Sequence, residues 1–417
     1  MQHIKDILQS EVDKRKEEII KLASELVKIP SVNPPGDMHE ISNFIVEHLK
    51  EHGIKYESFE PEKGKISIIA SFGNKDGKTL AFNGHMDVVP VGEENRWSFP
   101  PFSGEIKNGF LLGRGSSDMK GGIAAQLASL AILADLDVKL NGKVLLMLVP
   151  DEETGGLLGT KWLLDNNKVV ADACITGEPS GPEVVDIGEK GFLWFKALVL
   201  GEPGHGSLAP FVGDNAILKA YKVIEQIMKL REIDVDQPED IKPVIDSSAR
   251  MVDTILKKDG VGIVLKKPTV NVGVIHGGVK SNVVPDKCEI SLDIRLPIGL
   301  SSEEGIQRLK NLIKEFEKDI DIIELVAHSP NYTSPSSEIV KIVFNNAKSV
   351  LGHEPKLFVD YATSDARHLR DKGIPSLHYG PTVFNAHGYN EKVKVDDIIT
   401  VSKVYLGVIM DFLGTTK

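Results

Sequence analysis

Apolar residues up to Thr176 follow two different periods. A spacing of three to four residues, bounded by Pro30 in one case and Gly53 in another, predicts amphipathic helices. Short continuous apolar runs predict buried strands. The predicted helices are Ile4–Ile29, Met38–His52, Gly121–Leu136 and Leu157–Asn166, and the predicted strands are Ile66–Phe72, Thr79–Asn83, Lys143–Val149 and Ala173–Thr176. Strands that alternate with helices indicate an α/β sheet with crossover connections.

The pattern changes between residues 189 and 327. The order of elements there is strand, helix, strand, strand, helix, strand, which is typical of a ferredoxin-like module. Its strands are predicted at Phe192–Leu200, Thr269–Ile275, Cys288–Leu296 and Ile320–Ala327, and its helices at Asn215–Leu230 and Ser302–Lys318. The stretch Asp234–Lys267 is polar, and we expect an irregular surface excursion there.

After Ser329 the α/β pattern resumes. Helices are predicted at Glu338–Leu351, at Asp365–Asp371 and from Val395 onward, and strands at Leu357–Asp360 and Ser376–Tyr379. Because His387 lies in this last part and His85 in the first, we expect residues 1–188 and 328–417 to form one domain, with residues 189–327 inserted into it. The predicted fold class is α/β, a mixed-sheet domain that carries an inserted ferredoxin-like α+β domain.

Composition excludes several classes of function. The chain has 417 residues, a formal net charge of -11 and a pI of about 5.6, which disfavours a surface for nucleic acid. Cys174 and Cys288 are the only cysteines, so a disulfide framework is not expected and a reducing compartment is favoured. No run reaches the ~18 apolar residues of a membrane span. We expect a cytoplasmic protein that binds neither nucleic acid nor membrane.

His85 follows the apolar strand Thr79–Asn83, and Asp87 comes two residues later. A single histidine in this position is more often a packed core residue than a ligand. However, residues i and i+2 of an extended segment share a face, so the Asp87 carboxylate can accept the second imidazole N–H and fix the tautomer. The pair favours a functional site, and a structural role for both residues stays open.

Other acidic residues have plain alternatives when each is taken alone. Asp118 lies in a glycine-rich turn, where an aspartate is usually a helix cap. Asp151–Glu153 directly follows an apolar strand and Pro150, and three adjacent carboxylates need either solvent or a cation to relieve their repulsion. Glu178 follows another apolar run, and His387 lies in a loop rich in glycine and proline.

The collective position of these side chains is more informative than any one of them. Four lie just beyond the carboxyl ends of predicted strands, namely His85, Glu152, Glu153 and Glu178. In an open α/β sheet ligands bind at this edge. Two imidazoles and several carboxylates are suited to Zn²⁺ or a similar divalent ion. The sequence therefore predicts a metal site.

Four motifs occur in a specific order: Gly-His-Met-Asp-Val-Val-Pro (84–90), Gly-Arg-Gly-Ser-Ser-Asp-Met-Lys-Gly-Gly (113–122), Asp-Glu-Glu-Thr-Gly-Gly (151–156) and Gly-Glu-Pro (177–179). With them the chain resembles the M20 metallopeptidase family, which includes acetylornithine deacetylase, succinyl-diaminopimelate desuccinylase, aminoacylase-1 and the glutamate carboxypeptidases. The resemblance covers essentially the whole chain apart from Asp234–Lys267. It implies a di-metal hydrolase domain with an inserted lid and dimerisation domain.

The resemblance also implies a cofactor, two divalent ions that are Zn²⁺ or, alternatively, Co²⁺ or Mn²⁺. The implied ligands are His85 and Glu178 for one ion, Glu153 and His387 for the other, and Asp118 as the bridge. In this arrangement Asp87 would orient His85, and Glu152 would be the general acid/base. A cis peptide bond is implied between Asp118 and Met119.

Four more residues are implied to act on the substrate. His205, in a Gly-His-Gly-Ser motif, would stabilise the oxyanion as a lid histidine, often supplied by the partner subunit, although a surface turn also explains it. Arg295 would clamp a substrate carboxylate with its guanidinium fork, the alternative being a solvated arginine. Asn282 would contact the substrate or the oxyanion. Ser364 matches the substrate-side loop, and a helix cap accounts for it equally well.

The leading functional hypothesis is an amidohydrolase that cleaves N-acyl amino acids with a free carboxylate by means of metal-activated water. A carboxypeptidase or dipeptidase of the same family is the rival, favoured by the Gly-His-Gly-Ser motif. A non-catalytic binding protein would have lost a ligand or the base, and none is missing. The resemblance, together with an exposed edge strand expected in the inserted module, favours a homodimer.

Overall fold

The structure is a computed structural model that describes residues 2–415. Contacts divide the chain into two compact units. The first unit contains the chain up to Ile187, Thr333–Phe358 and the segment from Ser364 onward. The second contains Gly188–Tyr332 and Val359–Thr363.

Helices make up much of both units. The α-helices within residues 2–415 are α1 Gln2–Lys14, α2 Lys16–Lys28, α3 His39–Glu51, α4 Gly121–Asp135, α5 Thr160–Asp165, α6 Ala216–Met228, α7 Lys242–Leu256, α8 Ser302–Leu312, α9 Glu338–Leu351, α10 Ala366–Asp371 and α11 Val395–Leu413. Short helical turns occur at Glu94–Arg96, Ser116–Lys120, Glu152–Thr154, Gly206–Leu208, Lys229–Glu232, Val261–Leu265 and Lys314–Asp319. Of the helices in this described range, none combines the length and the apolar character that crossing a membrane requires.

The strands form three sheets in the part of the chain that the structure describes. They are β1 Lys55–Glu62, β2 Lys65–Gly73, β3 Thr79–His85, β4 Ile106–Lys107, β5 Phe110–Leu112, β6 Lys143–Val149, β7 Ala173–Thr176, β8 Val184–Glu189, β9 Gly191–Leu200, β10 Thr269–Gly277, β11 Lys287–Leu296, β12 Ile320–His328, β13 Asn331–Tyr332, β14 Lys356–Asp360, β15 Ser376–His378 and β16 Lys392–Lys394. The strand orders are β1-β2-β6-β3-β7-β15-β8-β13 with β14 beside β8, β10-β11-β9-β12, and β16-β5-β4.

The centre of the first unit is parallel and fully covered. Strand β3 pairs in parallel with both β6 and β7, and every residue of β3 is buried. Helix α4 is buried around nearly its whole circumference and packs against α2 and α11. Continuous apolar strands between helical layers are the expected chemistry of a parallel sheet. Because the strands are parallel, the carboxyl ends of β3, β6 and β7 meet at one edge.

The second unit is an antiparallel sheet with helices on one face. Along β9 the side chains of Leu193, Phe195, Ala197 and Val199 alternate inward and join one apolar cluster. Residues of α6 and α8, among them Val223 and Leu309, complete this cluster. The mixed α/β fold predicted from the sequence is thus confirmed, and the four strands expected between Phe192 and Ala327 are present.

Three predicted elements differ from the structure. The stretch Asp234–Lys267 is not irregular, because it contains the helix α7 (Lys242–Leu256). Helix α7 begins with a proline in its first turn and buries Val244, Ile245, Ser248, Ala249 and Val252, a helical spacing that its polar neighbours obscure. The first predicted helix is interrupted at Arg15, and the helix predicted to run to Lys318 ends at Leu312.

The segment Val359–Thr363 belongs to the second unit, although the sequence pattern predicted it in the first. Two contacts account for this. The Val359 N–H donates to the Ser248 hydroxyl at 3.0 Å, and an Arg295 N–H donates to the Thr363 hydroxyl at 3.4 Å. Strands β1 and β8 were not predicted from the sequence, and both belong to the larger sheet.

Candidate metal centre

Three parallel strands deliver the predicted side chains to one edge of the sheet. Strand β3 ends at His85, which lies opposite Val149, the last residue of β6. The turn Glu152–Thr154 follows β6, and Glu178 comes two residues after the end of β7. Parallel strands place their carboxyl ends side by side, so residues far apart in sequence converge here.

Asp118 lies between the two histidines. Its Oδ1 is 3.0 Å from His85 Nε2, and its Oδ2 is 3.1 Å from His387 Nε2. The same His387 nitrogen is 3.1 Å from a Glu153 carboxylate oxygen, and His85 Nε2 is 3.7 Å from Glu178. The Asp118–Met119 peptide bond is cis, as the family resemblance implies. Each carboxylate oxygen of Asp118 therefore faces a different imidazole.

Two overlapping groups of side chains can hold a metal ion. His85, Asp118 and Glu153 form one group, and His85, Glu152 and Glu178 form the other. Within each group the nitrogen and oxygen donors lie within 4.8 Å of one another. Imidazole nitrogen and carboxylate oxygen are the donors that Zn²⁺, Co²⁺ and Mn²⁺ accept. His387 contributes its imidazole from a loop. Its side chain is 57% exposed, and its φ is positive (59°).

The electrostatics of this cluster also favour a cation. Burial raises the pKa of the Glu178 carboxyl, and the neighbouring His85 lowers it again only in part. The resulting pKa of Glu178 is about 8. Burial raises the pKa of Glu152 and of Glu153 as well. The hydrogen bonds to Asp118 and Glu153 raise the pKa of the His387 imidazole to about 11. Buried carboxylates this close together repel one another, and a divalent cation removes that cost.

Asp87 contacts the site differently from the sequence expectation. The Nδ1 atom of His85 is 2.9 Å from the Asp87 main-chain carbonyl and 3.5 Å from its carboxylate. The carboxylate instead accepts the N–H groups of Glu152 and Glu153, each at 3.2 Å, and the Asn33 side-chain amide at 2.8 Å. The reason is geometric: the turn after β6 presents its free N–H groups to Asp87. Asp87 thus holds the acidic turn as well as the imidazole.

Ser364 is buried and turned into the protein. Its hydroxyl lies 2.6 Å from His378 Nε2, and it accepts the Ala366 N–H at 3.1 Å near the start of α10. The other nitrogen of His378 is 2.8 Å from the Asp186 carboxylate. These contacts favour a structural role for Ser364 at the start of α10, where Asp365 is the N-cap residue, over a substrate contact.

Three predicted substrate residues lie in the second unit. The loop of His205 pairs with the segment of Asn282, since the Gly206 N–H donates to the Asn282 carbonyl at 2.9 Å. His205 is exposed, and its Nδ1 lies 2.8 Å from the Ser207 hydroxyl. The Nε of Arg295 donates to Asp293 Oδ2 at 3.1 Å and lies 2.9 Å from Oδ1 of the same carboxylate.

A family model described as peptidase family M20/M25/M40 matches residues 81–411. The chain belongs to this family. It is a metal-dependent hydrolase that acts on amide bonds.

The similarity extends over almost the whole chain. A succinyl-diaminopimelate desuccinylase of Ehrlichia canis is 29% identical over 95% of this chain and 98% of its own length. An uncharacterised metallohydrolase of Methanocaldococcus jannaschii is also 29% identical, over 94% and 99%. Among solved structures, an M20 family metallo-carboxypeptidase from Sulfolobus solfataricus superposes with a TM-score of 0.79 at 26% identity and covers 94% of this chain and 98% of that one.

Two supporting side chains of this M20 protein were not predicted. Asn33 donates to Asp87 across 54 residues of sequence, and Glu391 accepts the Asp118 N–H across 273 residues. Neither residue stands in a local pattern that indicates a partner so far away. The position of Glu391 in the same loop as His387 is the only clue that the sequence offers.

Proposed function

We propose that this M20 protein is a di-metal amidohydrolase that removes the acyl group from N-acyl amino acids. Curated relatives that match across about 95% of the chain are succinyl-diaminopimelate desuccinylases, which supports this substrate class. The observation that carries the proposal is the position of Asp118, with each carboxylate oxygen about 3 Å from a different histidine. One side chain placed in this way suits a pair of ions that share a bridging ligand.

The donor set fits two divalent ions. His85 and Glu178 would hold one ion, Glu153 and His387 would hold the other, and Asp118 would bridge them. Their distances to Asp118 and to one another support this division. Zn²⁺ suits imidazole and carboxylate donors best, with Co²⁺ and Mn²⁺ as alternatives. When bound, the ions lower the pKa of a water molecule and polarise the substrate carbonyl.

Glu152 would be the general acid/base. Its carboxylate is within 4.8 Å of the donor atoms of His85 and Glu178, and its main chain is held by Asp87. In the first step Glu152 accepts a proton from the attacking water. It then delivers this proton to the leaving nitrogen as the amide bond breaks.

The second unit would bind the substrate. Arg295 would bind the free carboxylate of the amino acid through its guanidinium group. The N–H groups that do not contact Asp293 would donate to the substrate. His205 would stabilise the oxyanion, and Asn282, which is backbone-paired to the His205 loop, would contact the substrate. Ser364 is not assigned a substrate contact, because its hydroxyl lies 2.6 Å from His378 Nε2.

Hydrolysis of a matched panel tests the substrate class. The metal-loaded protein is given acetyl-, succinyl- and longer acyl-amino acids, their carboxamide analogues and unblocked dipeptides. We expect turnover of acyl-amino acids that a chelator abolishes and that is lost when the free carboxylate is amidated. No turnover with both ions bound would contradict the proposal.

The variant Glu152→Gln tests the mechanism. It keeps the shape of the side chain and removes proton transfer, so we expect normal binding of two ions and a loss of kcat of about 10²–10⁴-fold. Metal content and kcat are measured on the same sample. An unchanged kcat would remove Glu152 from the mechanism.

A peptidase is the second candidate. It is favoured by the similarity to the M20 family metallo-carboxypeptidase, at 26% identity and a TM-score of 0.79. In the panel, preference for dipeptides or blocked peptides over acyl-amino acids would select this alternative.

We also propose a homodimer formed through the second unit. Strands β10 and β12 are the edges of its sheet, and both expose apolar side chains such as Ile275 and Ile323. Free edges of this kind pair readily with a second copy.

The buried free cysteines Cys174 and Cys288 are consistent with a cytoplasmic location.

A further inference from the structure

A buried carboxylate beneath the Asp118 turn has no part in the proposed chemistry. Glu391 is fully buried, and its two oxygens accept five hydrogen bonds. Oε1 accepts the N–H groups of Ser117 at 3.0 Å and Asp118 at 3.1 Å, and the Ser117 hydroxyl at 3.2 Å. Oε2 accepts the Gly115 N–H at 3.0 Å and an Arg114 N–H at 2.7 Å. Both oxygens are therefore saturated by one short segment of chain.

The same residue belongs to the loop that supplies His387. Glu391 lies four residues after His387 and directly before β16, which pairs with β5. The main chain of Glu391 is also tied to this segment, because its carbonyl accepts the Gly113 N–H at 3.0 Å. One residue thus joins the turn of Asp118 to the loop of His387.

Arg114 completes this junction from below. Its side chain is only 2% exposed, and its guanidinium lies 5.2 Å from the centre of the Trp97 ring. The Trp97 ring in turn contacts Tyr389, two residues after His387. A buried ion pair is costly to form, yet breaking it by removing one partner is more costly still, so Glu391 and Arg114 hold one geometry.

We propose that Glu391, supported by Arg114, is a positioning residue that sets the distance between Asp118 and His387. It thereby sets the affinity for the ion that Glu153 and His387 would hold. This inference rests on the proposed di-metal function. The ion held by Glu153 and His387 depends on Glu391 twice, through Asp118 and through His387. The ion held by His85 and Glu178 depends on it only through Asp118. The two affinities must therefore respond unequally.

The test is stepwise binding of Zn²⁺ and Co²⁺ to the metal-free full-length chain, measured by calorimetry and by Co²⁺ absorption. In Glu391→Gln the new amide group points N–H donors at the N–H groups of the turn, so the turn has to move. We expect the ion held by Glu153 and His387 to bind about 10–100-fold more weakly, and the ion held by His85 and Glu178 to be affected less. The Co²⁺ spectrum should change as well. At saturating metal, kcat should fall while KM stays close to the wild-type value.

Asn346→Ala is the matched control. Asn346 is a buried side chain of the same unit that bonds to the Ile342 carbonyl and to Asp411. Its loss should lower Tm while leaving both metal affinities unchanged, which separates positioning from general destabilisation. If Glu391→Gln does not fold, Glu391→Asp and Arg114→Lys keep the charges and should give a smaller change in the same direction.

Wild-type affinity for both ions in every folded variant would overturn the inference, and so would equal weakening of the two ions. A wild-type chain that binds one ion only would overturn the di-metal function, and this inference with it. That result is read on the unmutated protein, so the two failures are distinguishable.

Discussion

Among single residues, Asp87 determines how the acidic turn faces the imidazole of His85. Its carboxylate holds two consecutive N–H groups, and its carbonyl holds the His85 ring. Asn33 donates to the same carboxylate and accepts from the buried Lys65 ammonium group. One residue can therefore orient both a candidate metal ligand and the proposed acid/base residue, through its carbonyl and its carboxylate.

His48, away from this site, gives a pH-dependent contribution to stability. It lies among α2, α3 and α4, and its Nε2 is buried without a hydrogen-bond partner in the described structure. Burial, with the nearby charge of His52, lowers the pKa of His48 to about 4. The unfolded chain, with a pKa of ~6.5, takes up the proton first, so this stability is present above that pH and lost as the pH falls towards 4.

The expected loss from His48 between pH 7 and pH 5 is ~2 kcal/mol of unfolding free energy. Urea unfolding of wild type and His48→Gln at both pH values measures it, since every other titrating group is common to the two proteins. The decrease should be ~2 kcal/mol smaller in the variant. The exposed His3→Gln is the control and should behave as wild type. Equal decreases in His48→Gln and wild type would contradict the prediction.

The sequence predicts a site residue best when its role is local. His85 and Glu178 were predicted as candidates because each stands at or just beyond the end of an apolar strand, and the topology of parallel strands brings such ends together. Glu391 was not recognisable, because its partners lie more than 270 residues away and the bonds depend on the pairing of β16 with β5. Ser364 matched a motif, but only the structure shows where its hydroxyl points.

Among the elements, helix α7 shows why composition alone misled. Its exposed positions are polar and charged, so the stretch resembles a loop, while the five buried positions follow a helical period. The Ser248 hydroxyl on this helix bonds to Val359, which gives the helix a packing role in the second unit. Short buried strands such as β7 were easier to predict because both of their faces are apolar.

The end of α7 allows a direct test of backbone strain. Lys257 follows the helix with φ 50° and ψ 41°, a left-handed conformation that glycine adopts at no steric cost. Lys257→Gly should therefore raise the unfolding free energy of the second unit by about 0.5–1 kcal/mol. Urea unfolding followed by fluorescence of Trp194, the tryptophan of this unit, measures the change.

Gly352, after α9, is the matched control. It has a φ of 79°, and a Cβ added there meets no atom within 4 Å, so Gly352→Ala reports backbone strain alone. We expect a loss of ~1 kcal/mol in the first unit. A Lys257→Gly variant no more stable than wild type, beside a destabilised Gly352→Ala, would mean that the lysine side chain offsets its strain.

For the whole molecule, the ligands of the candidate metal centre all belong to one of the two units. The predicted ligands come from the chain before Ile187 and after Ser364, and the antiparallel sheet of the second unit contributes none of them. From the positions of His85 and His387, the sequence led us to expect that the first and last segments form one domain. The sequence did not predict that Val359–Thr363 belongs to the second unit, because this depends on a few tertiary hydrogen bonds.

Removal of the ions should therefore destabilise the two units unequally. Without a cation the buried carboxylates of Asp118, Glu153 and Glu178 lie close to one another with no divalent charge between them. Metal ions at a free concentration of 100 times Kd stabilise the folded protein by ~2.7 kcal/mol. Chelation removes this stabilisation, and Tm should therefore fall on the order of 5–10 °C. Scanning calorimetry with and without chelator gives this value.

Hydrogen exchange then locates the loss. We expect faster exchange on chelation in the segments that present the ligands, the end of β3 and the turns Ser116–Lys120 and Glu152–Thr154. Strands β9 and β11 of the second unit, which supply no ligand, are the internal control and should exchange as before. Addition of Zn²⁺ should restore both Tm and protection. A uniform loss across both units would show that the ions stabilise the molecule as a whole, and unchanged exchange at the ligand segments would remove the metal from this site.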